Sequence, residues 1–172
     1  MGLATLIGGI VGHAFLYAFS WEWKLPGWVI SMVAVMFVER ASIEHTRILL
    51  NQRIIRILKV INIVELALFL FLVFYYLKFI FVEIHLAYGM LVVVASLELL
   101  LFFKARNPAS KNMVIGVALV GIAAYVFMGK VIIHEWFNHM VLSHLFLAVA
   151  SYFFYMGAKY VDLTGPHGDT RV

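Results

Sequence analysis

Apolar residues along this chain come in long blocks, each close to the ~20 residues that a helix needs to cross a bilayer. Six blocks stand out, at 3–21, 27–42, 60–77, 84–103, 113–133 and 139–160. Polar residues gather between the blocks, and no stretch keeps the period-two alternation of a strand over a useful length. The pattern predicts an all-α protein, an integral membrane bundle of six transmembrane helices. Pro26 stands at the start of the second block, where a first helical turn tolerates proline. The third and fourth blocks nearly merge; Lys78, Glu83 and His85 interrupt them and predict a tight outer hairpin. The stretch 48–58 mixes apolar residues with spaced arginines. It predicts either a short amphipathic helix along the membrane surface or an extension of the third span. Residues 1–172 form one membrane domain, ending in a polar, flexible tail over 161–172.

Composition sharpens this picture. Apolar residues make up 65% of the chain and charged residues 13%, against about a quarter charged in a soluble domain. Cysteine is absent, which excludes disulfides, thiolate metal sites and a cysteine nucleophile. The first block has no basic stretch before it and no small-residue cleavage site after it, so it reads as a retained span. The net charge of +4 is spread over loops with no dense basic face, which argues against nucleic acid as a partner. The bilayer is the expected partner, and other membrane-protein subunits are candidates. Arg47, Arg53, Arg56 and Lys59 occupy one loop and Lys104, Arg106 and Lys111 another; the opposite loops carry only Lys24, Lys78 and Lys130. The positive-inside bias then predicts that both termini are cytoplasmic. Trp21, Trp23, Trp28 and Trp136 fall at the opposite face, as an aromatic belt would.

Ionisable groups inside spans are costly and mark candidate sites. With ~1.5 Å of rise per residue, His13 lies ~12 Å and His144 ~9 Å below the outer face, while His139 and His85 lie near the surface. Asn138 is a natural N-cap for the sixth span. His139 and His144 are five apart, ~140° around a regular helix, so only a π-bulge or an irregular first turn would bring them together. Three imidazoles at one depth would suit zinc. A second layer lies deeper, with Glu39 and Glu65 at ~18 Å and Glu98 at ~21 Å. Arg40 is beside Glu39, and Asn62 is one turn from Glu65. Glu39, Arg40, Asn62 and Glu65 read as a structural polar layer that pairs helices. A proton or ion path is the alternative, disfavoured because the sequence offers no evident basic partner at that depth on the other spans. Gly8 and Gly12 give the first span a surface for close helix contact, beside His13.

Two stretches carry a resemblance. They are Gly8-Gly9-Ile10-Val11-Gly12-His13 and Phe137-Asn138-His139-Met140-Val141-Leu142-Ser143-His144. Together they resemble an uncharacterised family of bacterial polytopic membrane proteins, which is similar in turn to the CREST superfamily of alkaline ceramidases and progestin/adiponectin-receptor-type proteins. The resemblance covers the first twenty and last fifty residues. It implies a bacterial inner-membrane protein with a zinc held by His13, His139 and His144 and hydrolysis of a lipid amide or ester. The chain departs from the pattern: its late histidines are five apart rather than four, Gly9 stands for the superfamily's serine, and Val141 for the bacterial family's aspartate. Three functions follow as expectations: a zinc-dependent lipid hydrolase, a non-catalytic accessory or structural subunit of a larger membrane complex, and a haem b carrier using His13 and His144.

Overall fold

The structure, a computed structural model, describes residues 21–134 and 137–160. All its regular elements there are helical, and five are long and apolar enough to cross a membrane. We label the five long helices α1 (Leu25–Ile48), α2 (Gln52–Tyr76), α3 (Ile80–Ala105), α4 (Pro108–Met128) and α5 (His139–Lys159). The first expected span, 3–21, and the tail 161–172 lie outside the described residues, so a count of five describes this part of the chain.

Helix ends follow local chemistry. Pro26 and Pro108 occupy first-turn positions of α1 and α4, where the missing N–H removes no intrahelical bond. Asn51, Asn107 and Asn138 cap α2, α4 and α5, each accepting from a backbone N–H two residues on. Asn138 accepts from Val141 as well, at 3.2 Å. Leu77 and Arg106 close α2 and α3 in the left-handed conformation, with φ of 52° and 51°. Of the two readings of 48–58, the structure takes the extension: α2 runs unbroken from Gln52. The predicted hairpin is tighter and earlier than expected, because α3 already starts at Ile80. Glu83 falls in its first turn, where the helix dipole favours a negative charge.

Within α3, residues Tyr88–Val94 form a π-helical segment. Its wider turns rotate the half that carries His85 against the half that carries Glu98. Gly89 opens this segment toward α1. A Cβ there would lie 2.6 Å from Val35 Cγ1 and 3.0 Å from Glu39 Cδ, so α3 can approach α1 this closely only at a glycine.

Two apolar clusters form the core. One joins Val35, Met90, Val94, Met113, Val117, Val120, Ala150 and Phe154 of α1, α3, α4 and α5. The other joins Trp28, Met32, Val73 and Val82 of α1, α2 and α3. Trp28 packs on Phe79, ring centroids 5.3 Å apart, so this tryptophan is a core residue and not part of a lipid-facing belt. The most extensive helix pair is α4 with α5. The outer face of α2 exposes Val60, Val64, Leu68, Phe71 and Phe74, an apolar surface suited to lipid.

Candidate functional site

Between the two apolar clusters lies a buried polar centre. Glu39 comes from α1, Asn62 and Glu65 from α2, and His85 from α3. Glu39 and His85 are fully buried and Glu65 is 9% exposed. Asn62 Nδ2 donates to Glu39 Oε2 at 3.0 Å and makes a longer contact of 3.4 Å to the Met36 carbonyl. His85 Nε2 lies 3.1 Å from the carbonyl oxygen of Met32, and His85 Nδ1 lies 2.9 Å from Glu65 Oε1. A carbonyl can only accept, so Nε2 carries a hydrogen. The facing Nδ1 and Glu65 Oε1 therefore hold one proton between them, on either atom. Glu39 Oε1, Glu65 Oε2 and Asn62 Oδ1 are buried without a hydrogen-bond partner. One ligand atom from each of Glu39, Glu65 and His85 lies within 4.8 Å of the others, and this trio could hold a metal ion.

A second buried pair sits where the two basic loops meet. His45 Nδ1 lies 3.1 and 3.2 Å from the two oxygens of Glu98, and both residues are nearly or fully buried. Asn107 Nδ2 lies 3.0 Å from His45 Nε2. The Asn107 oxygen is engaged in capping Ala109 N–H, so its amide nitrogen faces His45 and donates to Nε2. His45 is then the neutral tautomer with its hydrogen on Nδ1, directed at Glu98. Ser42, one turn from both Glu39 and His45 on α1, is fully buried with an unpartnered hydroxyl. The His45–Asn107 contact also shows that the end of α1 and the α3–α4 turn, near which Arg47, Arg53, Lys104, Arg106 and Lys111 stand, lie at one end of the bundle.

The candidates from sequence fare differently. Glu39, Asn62 and Glu65 converge, with Glu39 bonded to Asn62. Arg40 turns away: its guanidinium reaches the Lys59 carbonyl at 3.4 Å, at the edge of the bundle. His85, expected near the surface, is fully buried, and it and His45 supply the deep basic partners that the sequence reading had found missing. His13 lies outside the described residues. His139 and His144 are not brought together by any irregular turn, because α5 is a regular α-helix from His139 onward. His139 is half-buried against the Phe127 ring, centroids 5.7 Å apart, with Nδ1 buried and unpartnered. His144 is exposed, and its Nδ1 lies 2.7 Å from the Met140 carbonyl. The π segment that sequence reasoning considered for the sixth span occurs in α3 instead.

Sequence reasoning missed His85 because its block was started at Ile84, which put the imidazole at a helix mouth. Starting α3 at Ile80 moves it inward by ~6 Å. The available signal was Glu83: an acidic residue just ahead of an apolar run suits a first helical turn as well as a loop. No curated protein and no solved structure matches the chain. Residues 1–163 match the model of a family described as "Family of unknown function (DUF6962)", and the chain belongs to that family.

Proposed function

We propose that this is an integral membrane protein in which Glu39, Glu65 and His85 hold a divalent metal ion. One imidazole with two carboxylates suits zinc, and manganese or iron as alternatives. The observation that carries this reading is the posture of His85. Its Nε2–H is anchored on the Met32 carbonyl, which directs Nδ1 at the carboxylates. Metal-ligating histidines are characteristically oriented this way, by a hydrogen bond from the other ring nitrogen. Asn62 orients Glu39 in the same manner. An ion would replace the proton held between His85 and Glu65. It would also give partners to Glu39 Oε1 and Glu65 Oε2, with Asn62 Oδ1 available as a further donor. Two carboxylates are thereby balanced in a medium where each lone charge costs ~2.5–3.5 kcal/mol or more.

The three ligands come from three helices and are buried, so the ion acts as a cross-link between α1, α2 and α3. This supports the accessory or structural subunit over the zinc-dependent lipid hydrolase, which needs a metal position open to water and to a substrate carbonyl. The haem b expectation rests on His13, outside the described residues, and His144; the buried His45 and His85 offer no substitute, since both nitrogens of each are engaged. The hydrolase expectation rests on His13, His139 and His144, for which the CREST resemblance is the support. The positive-inside bias supports an orientation with the basic end, and both termini, in the cytoplasm, and the family resemblance supports a bacterial inner membrane.

Metal analysis of the purified protein tests this. We expect near-stoichiometric zinc in the wild type, lost in His85→Ala and Glu39→Gln and kept in His144→Ala. Zinc kept in the first two but lost in the third would move the site to the terminal histidines. A wild type that takes up no zinc, manganese or iron would leave the centre as a proton-sharing pair and overturn the reading.

A further inference from the structure

Away from the buried centre, α2 carries a stripe whose chemistry changes along its length. Positions 56, 59, 60, 63 and 64 are three or four apart or adjacent, and so share one side of the helix. Arg56 and Lys59 come first, nearer the helix start; Val60, Ile63 and Val64 follow. Arg40 of α1 lies alongside, its guanidinium against the Lys59 carbonyl. These six residues line an open cleft of about 360 Å³ between α1 and α2. Val60, Ile63 and Val64 are each about half exposed or more, and Arg56 is exposed, so the cleft faces the bundle's surroundings. Lys59 is ion-paired with Glu44. Three cations against that one carboxylate leave a net charge of two positive at the polar end.

Position along the helix matters as much as charge. Arg56 lies ~6 Å and Val64 ~18 Å from the start of α2. That interval runs from headgroup level into the acyl region of one leaflet, half of a hydrocarbon core ~30 Å thick. The polar end sits on the same side as the two basic loops, where anionic lipid would concentrate.

We propose that this cleft binds an anionic phospholipid of that leaflet. The phosphate sits among Arg40, Arg56 and Lys59, and an acyl chain lies along Val60, Ile63 and Val64. Guanidinium groups offer paired donors that match phosphate oxygens, and only a lipid uses the apolar wall as well. The proposal is independent of the metal centre, from which the Arg40 side chain turns away.

The test is lipid retention by native mass spectrometry, on protein extracted from nanodiscs of equal phosphatidylglycerol and phosphatidylcholine. Phosphatidylglycerol should be retained preferentially. Arg56→Gln removes one exposed cation and should lower that preference about fivefold, and Arg40→Gln with Arg56→Gln should bring it near the bulk ratio. Val64→Ser should weaken retention of both lipids. Equal retention of the two lipids, or an unchanged preference in Arg56→Gln, would overturn the proposal. Displacement of phosphatidylglycerol by equimolar glycerol 3-phosphate would also overturn it, by showing a site for free phosphate.

Discussion

Replacing His45 by alanine separates a buried histidine–carboxylate hydrogen bond from ordinary packing. The substitution removes the hydrogen-bond partner of both Glu98 oxygens, at 3.1 and 3.2 Å, in a site where Glu98 is fully buried. Removing the donor from a buried carboxylate costs ~2–3 kcal/mol or more, because the oxygens stay buried without a partner. The reverse substitution, Glu98→Leu, leaves a neutral imidazole with one unmatched N–H and costs ~1–3 kcal/mol. Asn107 is half-buried, so its amide can turn to water in either case. The double variant His45→Ala/Glu98→Leu leaves neither group unmatched. It should lie much closer to wild type than the sum of the singles, with a coupling of ~2 kcal/mol or more. Equilibrium unfolding in mixed detergent micelles, read by helical circular dichroism, gives all four free energies. A loss below ~1 kcal/mol in His45→Ala would mean that Glu98 is solvated or neutral at no cost. A double variant as unstable as the two singles together would mean that the pair does not exist.

Three further outcomes are expected. A Cβ at Gly116 would meet the Phe154 ring at 2.7 Å, whereas one at Gly157 would meet the flexible Met113 side chain at 2.7 Å; thermal unfolding should therefore show Gly116→Ala costing ~1–3 kcal/mol and Gly157→Ala distinctly less. Asn138→Ala leaves the N–H groups of Met140 and Val141 without their cap and should cost ~1 kcal/mol, with faster amide exchange confined to the first turn of α5. A phosphatase fused after Val172, active only outside the cytoplasm, should stay silent in bacterial cells, and strong activity would reverse the proposed orientation.

Hydropathy made the long helices legible, and asparagine capping made the start of α5 legible to the residue. That Glu39 and Glu65 face the bundle was legible too, since a lone charge inside an apolar block is costly on the lipid side. The facing of Arg40 was not. In a span that is apolar all round, no polar face marks the solvent side, so nothing in the sequence says that Arg40, beside Glu39, turns outward. Pairing between helices was equally hidden. Glu98 was placed at depth, but its partner His45 stands three residues beyond the second apolar block as it was drawn, within an α1 that runs on to Ile48. Gly89 carried no signal as one glycine in an apolar run. Its role needs the Glu39 side chain in place beside it.

The π segment of α3 makes the number of residues between the two polar centres a constrained quantity. His85 and Glu98 are thirteen positions apart, and the wide turns between them set the angle at which each meets its partner. Leu91 and Val92 inside the segment are exposed and free to vary in type. Wound as a regular α-helix at its present length, the segment would swing everything beyond it by roughly 100° or more about the axis. Glu98 would leave His45 while His85 stayed on Glu65. In this stretch the wide turn, and not the identity of its two exposed side chains, keeps both pairs matched.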